Sequence, residues 1–163
     1  MSDDELRQAL YGAFKNRALM YWHVFRELRD ELGEAQAGEI LGRAIYRRGR
    51  EMGRQFARFA PKDLTGLRDA FVGGVPDEGR MFAPTVTRCD AGGLDIALMR
   101  CPLQDAWREA GLADADIATL CRIAGRVDNG TFESAGFGFS ADTWQPGREG
   151  CCHLHIRPGA SQK

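Results

Sequence analysis

Five cysteines and one aspartate hold most of the chemistry that this sequence can offer. Cys101 stands directly before Pro102, at the end of an apolar run. Proline favours the first position of a helix, so Cys101 is expected where a strand gives way to a helix N-terminus. Free backbone N–H groups and the helix dipole favour an anion there. A thiolate in that place has a lowered pKa and is a better nucleophile. The competing reading is a small, inert cysteine buried at a strand–helix junction.

Ile117, Cys121, Ala124 and Asp128 follow one another at steps of four, three and four, which puts them on one helix face. The pattern predicts Asp128 at the C-terminal end of that helix, where a carboxylate is electrostatically disfavoured. Such a placement calls for a partner or a function. An exposed Asp128-Asn129-Gly130 turn is the alternative.

Cys151-Cys152-His153-Leu154-His155 reads as a strand. Alternation then gives Cys152, Leu154 and Ile156 one face, and Cys151, His153 and His155 the other. The second set has ligand types that suit zinc. No CxxC or HExxH spacing completes a site, so a partly wet sheet face is expected, without metal or other cofactor.

Arg48 interrupts an apolar stripe. An arginine on a core face pairs with a buried carboxylate, or it holds a substrate carboxylate through two parallel hydrogen bonds. Arg43, Arg47, Arg50, Arg54 and Arg58 around the same helix read as a solvated face. They lack the interleaved aromatics of a nucleic-acid surface.

The elements that must position these residues follow from periodicity. Leu10, Phe14, Ala18, Tyr21, Phe25, Leu28 and Leu32 predict a helix over residues 3–32, closed by Gly33. Ala37, Leu41, Ile45, Arg48, Met52, Phe56 and Phe59 predict a second over 34–59, with Pro61 beyond it. A short helix over 62–72 leads to a glycine-rich loop. Residues 85–89 and 94–100 read as a β-hairpin. Helices over 102–110 and 113–127 follow, then strands over 134–140 and 151–156. Helices, hairpin, helices, hairpin is the order of an α+β domain with an antiparallel sheet. One domain over 1–163 is expected, with a helical part over 1–72 and the chemical part over 84–157.

The net charge of −1 argues against nucleic-acid and membrane-surface partners. No stretch is long and apolar enough to span a bilayer. The acidic start and the odd, irregularly spaced cysteines predict a cytoplasmic protein with free thiols.

An ordered set of fragments resembles the L-2-amino-thiazoline-4-carboxylic acid hydrolase family. The set is Tyr21-Trp22, Arg48-Gly49, Cys101-Pro102-Leu103, Gly111-Leu112, Leu120-Cys121 and Asp128, then Gly150, Cys152 and Leu154. The resemblance spans most of the chain and is sharpest from Cys101 onward. It implies a hydrolase that opens a small cyclic amidine bearing a carboxylate, at its carbon–nitrogen or carbon–sulfur bonds. It implies a site of Cys101, Asp128 and Cys152, with Arg48 and Cys121 binding substrate. On that reading Cys101 attacks covalently or a base directs water, Asp128 carries the proton, and Cys121 and Cys152 line the pocket or tune Cys101. The other function class is a small-molecule-binding or thiol- or metal-sensing module without turnover. The partner is a small carboxylated substrate, and a homo-oligomer is compatible with the sequence.

Overall fold

The computed structural model describes residues 1–161. Helix α1 (Asp3–Leu32) begins with a capping box between Ser2 and Glu5 and ends at Gly33, whose φ of 84° favours glycine. Helix α2 (Glu34–Gly53) runs on into a 3-10 helix at Arg54–Phe59. Helix α3 (Leu64–Gly73) is capped by Asp63. Strands β1 (Pro84–Asp90) and β2 (Gly93–Leu98) form the expected hairpin. Helices α4 (Pro102–Glu109), α5 (Asp114–Ala124) and α6 (Arg126–Ala135) follow, then strands β3 (Gly138–Asp142) and β4 (His153–Arg157).

The four strands form one antiparallel sheet in the order β1-β2-β4-β3. The architecture is α+β, as the pattern predicts. Leu94 and Ile96 of β2 stand opposite Ile156 and Leu154 of β4. These side chains pack under Leu67 of α3 and Phe132 of α6 to make one apolar core. A second core lies among α1, α2, α4 and α5 and includes Phe25, Leu41, Trp107 and Leu120. On the other face of the sheet, His155 lies 2.9 Å from both Asp95 of β2 and Asp142 of β3. The hydrogen bonds it donates to Asp142 and Asp95 raise its pKa above the ordinary value. No helix among the described residues is long and apolar enough to cross a membrane.

The second helix differs from its predicted stripe. Its buried positions are Ala37, Leu41, Ile45, Gly49 and Gly53, a run at steps of four, with Gly42 beside it. Arg48 is not on the core face: it is exposed and pairs with Glu51 at 2.8 Å. Glycines carry no hydrophobic signal, so the stripe appeared to pass through Arg48 and Met52. In fact Gly49 lets α2 approach α6 closely. A side chain at Gly49 would meet the Val127 carbonyl, and one at Gly130 would meet that of Tyr46.

Candidate active site

The short helix α4 presents Cys101 as its N-cap, with Pro102 in the first turn, in agreement with the sequence. Its direction is held by a buried hydrogen bond in which Trp107 Nε1 donates to the Ala18 carbonyl of α1, at 2.8 Å. The other side of the site comes from the chain entering β4. Leu98 N donates to Cys152 O at 2.8 Å, and Cys151 N donates to Leu98 O at 2.9 Å. Leu98 precedes Cys101 by three residues, so this pairing brings Cys151 and Cys152 up to the start of α4. Helix α5 adds Cys121, which is buried.

Cys151 is the centre of the resulting cluster. Its sulfur lies 3.5 Å from that of Cys152, and Cys101 and Cys121 pack in the same cluster. The sequence reading placed Cys151 on the wet face with His153 and His155. Instead Cys151 is buried, because β4 begins only at His153. The preceding Gly150 has φ 75°, a turn that takes Cys151 out of the strand alternation. That glycine was the available signal. Cys89 lies apart, against Leu64 of α3.

The four clustered thiols differ in character. The Cys101 pKa is lowered, first by the hydrogen bond from Cys151 and then by the backbone N–H groups of Gln104 and Leu103, while burial opposes them. Cys151 is pushed far up, chiefly by serving Cys101 and its other sulfur neighbours. Of the pair, Cys101 is the thiol that ionises more readily, and Cys151 is the one that stays protonated.

Asp128 occupies a different helix position from the one expected. The chain breaks at Gly125, so Asp128 lies in the first turn of α6 instead of at the end of α5. The dipole there favours a carboxylate. Even so, burial alone raises its pKa from 3.8 to about 7. The residue keeps partial solvent contact, and its carboxyl group has no hydrogen-bond partner among the described residues. Its neighbour Val127 packs on the apolar cluster that includes Cys121 and Cys151.

Sequence reasoning also passed over Gln104 and Trp144. Both are buried, and neither Gln104 Nε2 nor Trp144 Nε1 has an acceptor. Gln104 follows Cys101 by three residues, the spacing that places two residues on one helix side, and that was its signal. Trp144 sits in an irregular connection, where no periodicity shows its direction.

A family model described as L-2-amino-thiazoline-4-carboxylic acid hydrolase matches residues 13–156. No curated protein matches the chain. The matched stretch contains the four clustered thiols, Asp128 and the helix that aligns Cys101, and on that extent the chain belongs to the L-2-amino-thiazoline-4-carboxylic acid hydrolase family.

Proposed function

We propose that the protein hydrolyses a small cyclic amidine carrying a carboxylate, such as a 2-amino-thiazoline-4-carboxylate, with Cys101 as nucleophile. The observation that carries this reading is Cys101 at the N-cap of α4, where the Cys151 thiol and two backbone N–H groups lower its pKa. The family's name supplies the substrate class.

The Cys101 sulfur adds to the amidine carbon and forms a tetrahedral intermediate. A ring bond at that carbon then breaks, and the departing nitrogen or sulfur takes a proton. Asp128 supplies it, because a carboxyl that titrates near 7 still holds a proton at neutral pH. Water then adds to the same carbon, Asp128 receives a proton back, and the Cys101 thiolate leaves. The product is an open chain bearing a carbamoyl group, one water heavier than the substrate. Cys121 and Cys152, the other neighbours of Cys151, line the site. Arg48, held at the surface by Glu51, has no part in this scheme.

Turnover of L-2-amino-thiazoline-4-carboxylate by wild type and by folded Cys101→Ser tests the reading. The variant is expected to lose activity by on the order of 10³-fold. Near-wild-type turnover by the folded variant would remove Cys101 from the chemistry. Tight binding by wild type without any turnover would favour a sensing module.

A further inference from the structure

A buried N–H without an acceptor forfeits the hydrogen bond it had in water, so folded proteins keep few of them. This protein keeps two near its thiol cluster, on Gln104 and Trp144. They are 2% and 4% exposed. Gln104 lies one turn beyond Cys101 in α4, and its backbone N–H is among the groups that lower the Cys101 pKa. Arg108 lies a further turn along the same side of α4, its guanidinium 5.1 Å from the centre of the Trp144 ring. Trp144 belongs to the same apolar cluster as Cys121 and Cys151. Arg108 forms no salt bridge among the described residues. On α4, Gln104 and the exposed Arg108 thus follow the nucleophile on one side, and the Trp144 ring lies beside Arg108.

We propose that Gln104 Nε2 and Trp144 Nε1 donate to the substrate carboxylate, one to each oxygen, while Arg108 supplies the opposing charge. The inference rests on the substrate class proposed above. A protonated amidine offers donors and no acceptor, whereas a carboxylate offers acceptors alone. Donors facing a site for such a molecule therefore match its carboxylate end. Charge-assisted hydrogen bonds of this kind fix orientation, here with the amidine carbon toward Cys101. The role first assigned to Arg48 passes to this group, which α4 places on the same helix as the reacting sulfur.

The test compares L-2-amino-thiazoline-4-carboxylate with 2-amino-thiazoline, which lacks the carboxylate. In isotope-labelled wild-type protein, the indole N–H resonance lost in Trp144→Phe is followed during titration with each compound. It is expected to move downfield with the carboxylated compound alone. Gln104→Met keeps the side-chain length and removes the amide, and should weaken binding of that compound by about tenfold. Binding of the compound without the carboxylate should change little, which a purely structural role for Gln104 would not produce. Equal affinity of wild type for both compounds, an indole resonance indifferent to the carboxylate, or undiminished carboxylate binding by folded Gln104→Met would overturn the proposal. A carboxylate-dependent shift without turnover would uphold the binding site and remove the hydrolase reading instead.

Discussion

A thiolate buried among other thiols is stable only where something donates to it. Cys151 is the first such donor for Cys101, ahead of the helix N–H groups. Cys151→Ala removes it, while Cys151→Ser keeps a hydroxyl in its place. The alanine variant should shift the pH midpoint for alkylation of Cys101 upward by about one unit, and the serine variant by less. Iodoacetamide labelling rates across pH, with Cys101 identified by peptide mapping, check this. An unmoved midpoint in the alanine variant would place the stabilisation in the helix alone.

Asp128 gives the opposite kind of test, one of stability. Its folded value of about 7 lies above the ordinary 3.8. The unfolded chain loses this proton at lower pH, so the native state is favoured most below about pH 4 and loses that advantage as pH rises through 7. Asparagine stays neutral throughout. Asp128→Asn should match wild type near pH 4 and exceed it by about 1–2 kcal/mol at pH 8, a figure kept below full linkage by the residue's solvent contact. Its turnover should fall, since the amide carries no proton. Urea unfolding at the two pH values, beside an activity assay, gives the comparison.

At the scale of elements, the crossing of α2 and α6 shows which features the sequence displays and which it hides. Helix α1, the hairpin and the Cys101 cap were all legible, because each depends on apolar spacing or on a glycine or proline with a defined position. The α2 stripe was legible as far as Ile45 and then followed Arg48, because the true contact line runs through Gly49 and Gly53. The break at Gly125 was missed for a related reason. Apolar steps continue from Ile117 past it, so nothing in the spacing marks where α5 ends and α6 begins. The site was legible in its cysteines but not in its centre. Alternation moved Cys151 to the wrong face, since the strand begins two residues later.

The glycine contact makes a signed prediction. Helix propensity by itself favours Gly49→Ala by about 1 kcal/mol. The structure reverses the sign, because the added methyl meets the Val127 carbonyl of α6. The variant should lose about 1–3 kcal/mol by overpacking, measured as a lower denaturation midpoint. A stabilised variant would contradict the close crossing.

Across the whole molecule, two apolar cores meet at Cys152, which packs against both. One core is shared by the long N-terminal helices and the helices carrying Cys101 and Cys121. The other joins the sheet to α3 and α6. Helices α4 and α5 are built into the same core as α1 and α2.

The Trp107–Ala18 hydrogen bond gives this arrangement a practical meaning. Helix α1 contributes no reacting group, yet it is the straightedge against which the eight residues of α4 are set. Trp107→Phe should lower stability by about 1–2 kcal/mol and also slow Cys101 alkylation, because the helix that aims its N–H groups at the sulfur loses its stop. A loss of stability with unchanged Cys101 labelling would separate the two effects. If the straightedge holds, a random-mutagenesis search for inactive but well-expressed variants will yield hits around Ala18, far along the chain from any thiol. Such hits would be misread as noise by anyone looking only at the residues that touch substrate.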